Sequence, residues 1–357
     1  MVTTGYRAAV LADERAVRLE EFTLPVVEDG EVLLQVEAAN VCQTDVKKWR
    51  DPALPDRLAG LPLILGHEVA GTVLATGQNG DPRIVVGDRV AVDPVIRQGR
   101  RYFRSAYGRE PAEGLLLGIG AAAGDPVANA RLFQAHGIGG AFGRVLKIPE
   151  DCAIKLPPEV TTEAGSLLEP VADIVRSVRS VGEVAGKSCA VFGLGPMGLL
   201  HAMMLDDWGA RVVGLDPRAD RRDTARLVGV TEFALPADGV DVAFLAVGGV
   251  ALSGAIDEAL RSLRRGGAIV LFSSGPSDMK LVASVNQLHY GELRVIGVVG
   301  SMREDFEAAL DAIGRGVIDV AALRHPRVPF AAVQTAFELM GKPGVQKVGL
   351  NFLDGER

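Results

Sequence analysis

Between residues 6 and 40, apolar and polar positions alternate in short runs. The runs are Ala8-Ala9-Val10-Leu11, Val17-Arg18-Leu19-Glu20 and Glu31-Val32-Leu33-Leu34-Gln35-Val36-Glu37, with Pro25 and Asp29-Gly30 between them. A period of two broken by turn formers predicts antiparallel strands with one buried face. The same character continues through 69–73 and 89–92. From Val160 the texture changes. Helical segments of ten or more residues alternate with short, wholly apolar runs at 189–192, 212–215, 240–245, 267–272 and 293–299. Strands apolar on both faces, alternating with helices, predict a doubly wound parallel sheet of the α/β class. The tail carries an amphipathic helix (Phe306, Leu310, Ile313), a second helix over 333–340 and a last strand over 347–352. That strand has no place in the parallel sheet and is expected to return to the first domain.

Composition narrows the class. The 357 residues leave room for two domains. Charged residues make up 23% and hydrophobic ones 48%, as in an ordinary globular protein. A net charge of −7 argues against nucleic acid or an acidic membrane as partner. No run of eighteen apolar residues predicts a membrane span, and the first residues lack the apolar core of a signal peptide. The expected location is therefore cytoplasmic. Three cysteines, Cys42, Cys152 and Cys189, make no disulfide framework.

The first chemical signal is the loop Gly193-Leu194-Gly195-Pro196-Met197-Gly198, between an apolar strand and a helix. Gly193 permits the tight turn, Gly195 lets the backbone approach a pyrophosphate, and Gly198 lets helix and strand pack closely. The helix N-terminus offers unpaired N–H groups to phosphates. By itself this spacing fits an unliganded turn equally well. A second apolar strand ends in Asp216, eighteen residues after Gly198, where a carboxylate can accept hydrogen bonds from ribose hydroxyls. That favours NAD over NADP, although Arg218, Arg221 and Arg222 follow closely. In the first half, Cys42-Gln43-Thr44-Asp45 and Gly66-His67-Glu68 each follow a strand, and Glu169 stands in Leu168-Glu169-Pro170. Cys, His and Glu are competent zinc ligands, and catalytic zinc takes three protein ligands plus an open position. Singly, each has an ordinary reading: a buried thiol, a hydrogen-bonded imidazole, a carboxylate at a helix start.

Together these segments resemble the medium-chain zinc-dependent alcohol/polyol dehydrogenases, nearest the sorbitol dehydrogenase branch. The resemblance rests on Cys42-x-Thr44-Asp45-Val46 with Trp49, on Gly66-His67-Glu68-x-x-Gly71-x5-Gly77, on Gly87-Asp88-Arg89-Val90, on Leu168-Glu169-Pro170, and on the glycine loop with Asp216. It implies a GroES-like β domain over 1–157 and 297–357, a Rossmann NAD-binding domain over 158–296, and an active site in the cleft between them. It also implies a catalytic zinc on Cys42 and His67, with Glu68 and Glu169 as the further candidates. Glu68 is a direct ligand in sorbitol dehydrogenases and stands behind the ligands in other members, and Glu169 is a ligand in some members and holds the zinc-bound water in others. Asp45 would orient His67, and Thr44 would hold the substrate oxygen and pass on its proton. NAD contacts would include Gly193, Gly195, Pro196, Met197, Gly198, Asp216, Arg221, Phe272, Ser273, Val298 and Val299. Zinc would acidify the alcohol and hydride would pass to the nicotinamide. The implied partners are a small alcohol or ketone and further copies of the chain, as a homodimer or homotetramer paired through 294–299. Rival readings are a threonine 3-dehydrogenase, a zinc-free reductase of the same fold, and a nucleotide-binding protein without turnover.

The chain also departs from the family pattern. Gln43 replaces a glycine, and Lys47 stands where relatives often carry a relay histidine, either as a relay or simply solvated. Residues 93–110 contain no cysteine, so the four-cysteine structural zinc of many relatives is excluded by counting. Arg97, Arg100, Arg101, Arg104 and Arg109 crowd that stretch instead. They suit a solvated or subunit-facing loop, or less readily a phosphate-bearing substrate.

Overall fold

A computed structural model describes residues 5–78, 80, 82–96, 115–118, 120–121 and 126–352. The arginine-rich loop lies outside the described residues. The chain forms two compact units, one of 1–169 with 324–357 and one of 170–323.

The first unit is antiparallel, as the alternation predicts, except for one parallel pair formed by its last two strands. Strands β1 (Gly5–Asp13) and β2 (Ala16–Thr23) form a hairpin. A seven-stranded sheet follows, built from β3 (Glu31–Asn40), β4 (Glu68–Thr76), β5 (Arg89–Val92), β6 (Val145–Pro149), β7 (Ala153–Lys155), β8 (Arg324–Pro329) and β9 (Lys347–Asn351). Its order is β7-β5-β4-β3-β9-β8, with β6 also on β3. Strand β9 pairs antiparallel with β3, placing Gly349 opposite Asn40, so the last strand does return to the first unit. Strand β3 is nearly all buried, and Leu34, Val36, Val69, Val73, Leu146, Ile148, Val348 and Leu350 share one core with Phe142, Phe330 and Phe337. Helices α1 (Gln43–Trp49) and α2 (Pro126–His136) also belong here.

The second unit is a five-stranded parallel sheet, β10 (Ser188–Phe192), β11 (Arg211–Leu215), β12 (Val240–Leu245), β13 (Leu263–Leu271) and β14 (Arg294–Gly297). The order is β11-β10-β12-β13-β14. The strand that would follow β11 is reduced to a bridge between Val213 and Glu232. Every residue of β10 is buried, consistent with its unbroken apolar run. Helices α3 (Leu168–Arg179), α4 (Pro196–Asp207), α5 (Ala219–Leu227), α6 (Ala251–Ser262), α7 (Val285–Gly291) and α8 (Arg303–Gly314) accompany the sheet. Helix α6 buries Leu252, Ile256, Ala259 and Leu260, a stripe at helical spacing.

The units divide at Glu169/Pro170 and Leu323/Arg324, whereas the sequence expectation was 157/158 and 296/297. Side-chain tethers explain the difference. Arg89 holds the carbonyls of Pro157, Pro158 and Val160, while Thr162 bonds Glu37 and Asn40 bonds Ser166. These keep the connector with the antiparallel sheet. Arg179 pairs with Asp305 and Arg315 with Asp207, which ties helix α8 to the parallel sheet's helices.

Candidate active site

The first cluster is assembled at the start of α1 and the start of β4. Cys42 is the extended N-cap of α1, and its backbone N–H donates to Asp45 Oδ2 at 2.9 Å. Asp45 is wholly buried, and its Oδ1 accepts from the Gly66 N–H at 3.0 Å. One carboxylate therefore fastens the helix start to the turn that carries His67. Gly66 has a φ of +96°, and a β-carbon there would lie 2.6 Å from the Phe142 ring. The turn thus requires glycine both for its left-handed backbone and for space.

This turn brings ligand atoms of Cys42, His67 and Glu68 within 4.8 Å of one another. Cys42 is half-buried, whereas His67 and Glu68 are 3% and 1% exposed. His67 Nε2 lies 3.5 Å from Thr44 Oγ1, and Nδ1 lies 3.6 Å from Asp45 Oδ1. Burial works against a charged His67 ring, but the nearby Asp45 carboxylate and the Cys42 sulfur outweigh it and raise its pKa well above the usual imidazole value. The pocket is therefore one that favours positive charge. Two of its buried polar atoms, His67 Nδ1 and Glu68 Oε2, have no hydrogen-bond partner. A thiol, an imidazole and a carboxylate converging with an unsatisfied oxygen fit a zinc ion.

Glu169 lies in the first turn of α3, outside this group of three. Its charge reaches Lys347 instead. Lys47 is exposed on α1 and so matches the solvated reading. His136 lines a separate cavity with Tyr6, Phe22 and Phe133.

Sequence reasoning missed two residues. Lys347 is 3% exposed, and its Nζ donates to Glu68 Oε1 at 2.5 Å. Arg324 is 1% exposed and is held by the Asn40 side chain, the Ala39 and Leu350 carbonyls and Glu163. Burial lowers the Arg324 pKa to about 10 against the opposing pull of Glu163. Neither gave a usable signal: Lys347 opens its strand, where a charge reads as solvent-facing, and Arg324 opens the polar run Arg324-His325-Pro326-Arg327.

The second cluster lies at the carboxyl ends of the parallel strands. Gly193 follows β10 with a φ of +92°, and a β-carbon on Gly198 would sit 1.8 Å from the Gly193 carbonyl oxygen. Pro196 and Met197 open α4 immediately after the N-cap Gly195, and Arg221 lies 3.7 Å from the β-carbon position of Gly195. Asp216 is 8% exposed. Its Oδ2 accepts from the Leu194 N–H at 2.9 Å and from Arg221 Nη1 at 3.1 Å, and its Oδ1 accepts from the Arg218 N–H at 2.9 Å. Phe272 and Ser273 follow β13, where the Ser273 N–H donates to the Leu245 carbonyl. The Val298 N–H donates to the Leu271 carbonyl, and Val299 is 88% exposed. All the residues expected at a dinucleotide therefore lie on the edge of the sheet where α/β folds bind ligands.

Two family models match the chain. Residues 28–158 match an alcohol dehydrogenase GroES-like domain, and residues 196–315 match a zinc-binding dehydrogenase domain. The chain belongs to the medium-chain zinc-dependent alcohol/polyol dehydrogenase family and is an oxidoreductase with a GroES-like and a Rossmann-type domain. It is 26% identical to a sorbitol dehydrogenase of Bacillus subtilis, over 94% of each chain. It is 25% identical to a D-xylulose reductase of Saccharomyces cerevisiae, again over 94% of each. Its fold is shared by a zinc-binding dehydrogenase from Sinorhizobium meliloti bound to NADP, with a TM-score of 0.82 at 22% identity, covering 98% of this chain and 100% of that one. A 2R,3R-butanediol dehydrogenase from Bacillus subtilis gives 0.78 at 24% identity, covering 97% and 99%.

Proposed function

We propose that this enzyme oxidises a secondary alcohol of a polyol, sugar or cyclitol with NAD, using one zinc ion held by Cys42, His67 and Glu68. The observation that carries the reading is the buried convergence of those three side chains. Likeness to sorbitol dehydrogenases and xylulose reductases supports the polyol class. When bound, zinc supplies Lewis acidity to the alcohol, and NAD supplies the hydride acceptor. The chain's own residues do the rest. Asp45 holds the ring of His67 with Nδ1 toward its carboxylate, which leaves Nε2 for the ion. Thr44 Oγ1, beside that nitrogen, is placed to receive the substrate hydroxyl's hydrogen bond and take its proton onward. In the second unit, Asp216 holds the glycine loop through the Leu194 N–H and presents its remaining lone pairs to ribose hydroxyls.

Three further points belong to this reading. The free cysteines suit a reducing compartment such as the cytoplasm, and no helix among the described residues is long and apolar enough to cross a membrane. The edge strand β14 is largely exposed, and Val282, Val285, Tyr290 and Val299 near it are more than 70% exposed. This uncovered apolar edge supports a homo-oligomer, and a solution mass of 37.6 kDa by sedimentation equilibrium would refute it. The test of the function itself is Cys42→Ala. It should lose zinc and polyol-dependent NAD reduction while NAD affinity stays near wild type. Retained turnover would remove Cys42 from the mechanism.

A further inference from the structure

The ammonium of Lys347 sits against a prospective metal ligand, and the zinc reading alone does not explain its presence. Lys347 Nζ and Glu68 Oε1 are 2.5 Å apart, with side chains 4% and 1% exposed. The other Glu68 oxygen is buried without a partner. The charge of Lys347 also reaches Cys42 and Glu169. Arg324, the second buried cation of this region, is committed to Asn40, Glu163 and two carbonyls.

We propose that Lys347 is the counter-ion of the metal-free site and the positioning residue that leaves one Glu68 oxygen to the metal. The inference rests on the zinc reading. A ligating Cys42 must be a thiolate. Among the side chains in direct contact, that thiolate and the buried carboxylates of Asp45 and Glu68 against the ammonium of Lys347 leave two negative charges, which one divalent ion cancels. Without Lys347 the pocket would be overcharged. Before the ion arrives, Lys347 spares Glu68 the penalty of an unpaired buried charge. Once the ion is present, Lys347 and the ion share one carboxylate, so Lys347 weakens the metal's hold and eases exchange. Strand β9 thereby contributes to the metal site from the far end of the chain.

The test measures zinc affinity by competition with a chromogenic chelator, together with melting temperatures of the full-length protein with and without zinc. Lys347→Met should tighten zinc binding roughly a hundredfold, on the scale of a broken buried ion pair. It should lower the melting temperature of the stripped protein while leaving that of the zinc-loaded protein near wild type. Glu68→Gln combined with Lys347→Met removes both charges. This double variant should restore the stability of the stripped protein and bind zinc more weakly than Lys347→Met alone. If stripped Lys347→Met does not stay folded, the double variant decides, since its failure to fold without zinc would overturn the proposal. Equal losses with and without zinc, at unchanged zinc affinity, would make Lys347 a packing residue and overturn the proposal while leaving the zinc reading intact. A wild-type protein that takes up no stoichiometric zinc would end both.

Discussion

His201 provides a test of the second unit that is independent of metal and cofactor. It lies on α4, one turn beyond the glycine loop, and is fully buried. Its Nδ1 is 2.8 Å from the Met197 carbonyl oxygen, which can only accept, so Nδ1 carries the proton. Its Nε2 is 2.9 Å from Ser177 Oγ, and the rings of Phe244 and Phe272 stand 5.2 and 4.8 Å away. Burial pushes its pKa from 6.5 down to about 4, and the Met197 carbonyl offsets this only in part. As pH falls below 6.5, the unfolded chain takes up a proton that the folded chain refuses until about pH 4. Stability is therefore lost on acidification through that window and regained as pH rises. The two values give a loss of about 2 kcal/mol between about pH 7 and 5, and of roughly 3 kcal/mol once both states are protonated. Urea unfolding followed by tryptophan emission, to which Trp208 contributes from this unit and Trp49 from the other, would be measured at both pH values for the wild type and for His201→Gln. Contributions common to both proteins cancel in the difference. The wild type should lose about 2 kcal/mol more than the variant. An equal loss in both would refute the assignment of a neutral, proton-refusing His201.

Two more predictions concern the cofactor. In Gly198→Ala the new methyl would meet the Gly193 carbonyl oxygen at 1.8 Å, and that oxygen belongs to backbone that cannot step aside. The variant should lose about 1–3 kcal/mol of stability and at least about tenfold in NAD affinity, read by thermal melts and nicotinamide fluorescence; wild-type affinity would mean the loop does not grip the pyrophosphate. Asp216→Ala removes the carboxylate and releases Arg221 from its ion pair, so the ratio of NAD to NADP kcat/KM should shift toward NADP by about tenfold or more. An unchanged ratio would mean that Arg218, Arg221 and Arg222 already set the preference.

Much of the fold was legible because burial imposes simple periods. The runs in 31–37 became β3, although it is buried on both faces over most of its length rather than on one, and the unbroken run 189–192 became a central parallel strand buried on both faces. The segment 114–140 was not legible. Its helix over 126–136 begins at a proline and has little amphipathic contrast, because Ala128, Ala130, Leu132 and Phe133 are buried together with Asn129. The unit boundaries were displaced for a different reason. They depend on Arg89, Arg179 and Arg315 reaching residues far away in sequence, and periodicity carries no information about such tethers.

The site was legible to the extent that its chemistry is local. Cys42, Thr44 and Asp45 lie within one turn of helix, His67 and Glu68 are adjacent, and a single carboxylate joins the two segments. Lys347 could not be found in that way. It reaches Glu68 only because β9 crosses the whole chain to pair with β3, while β4 lies along the other side of β3. A lysine at a strand start reads as a solvent-facing edge charge. Only the strand order shows it to be enclosed, and only its burial beside Glu68 gives it a chemical role. The two halves of the candidate chemistry therefore differ in how the chain specifies them. The glycine loop of the candidate dinucleotide site is one contiguous strand–loop–helix, and its requirements are steric, fixed by glycines that admit no side chain. The proposed metal pocket is electrostatic, and the charge balance inferred for it depends on a cation that no local motif contains.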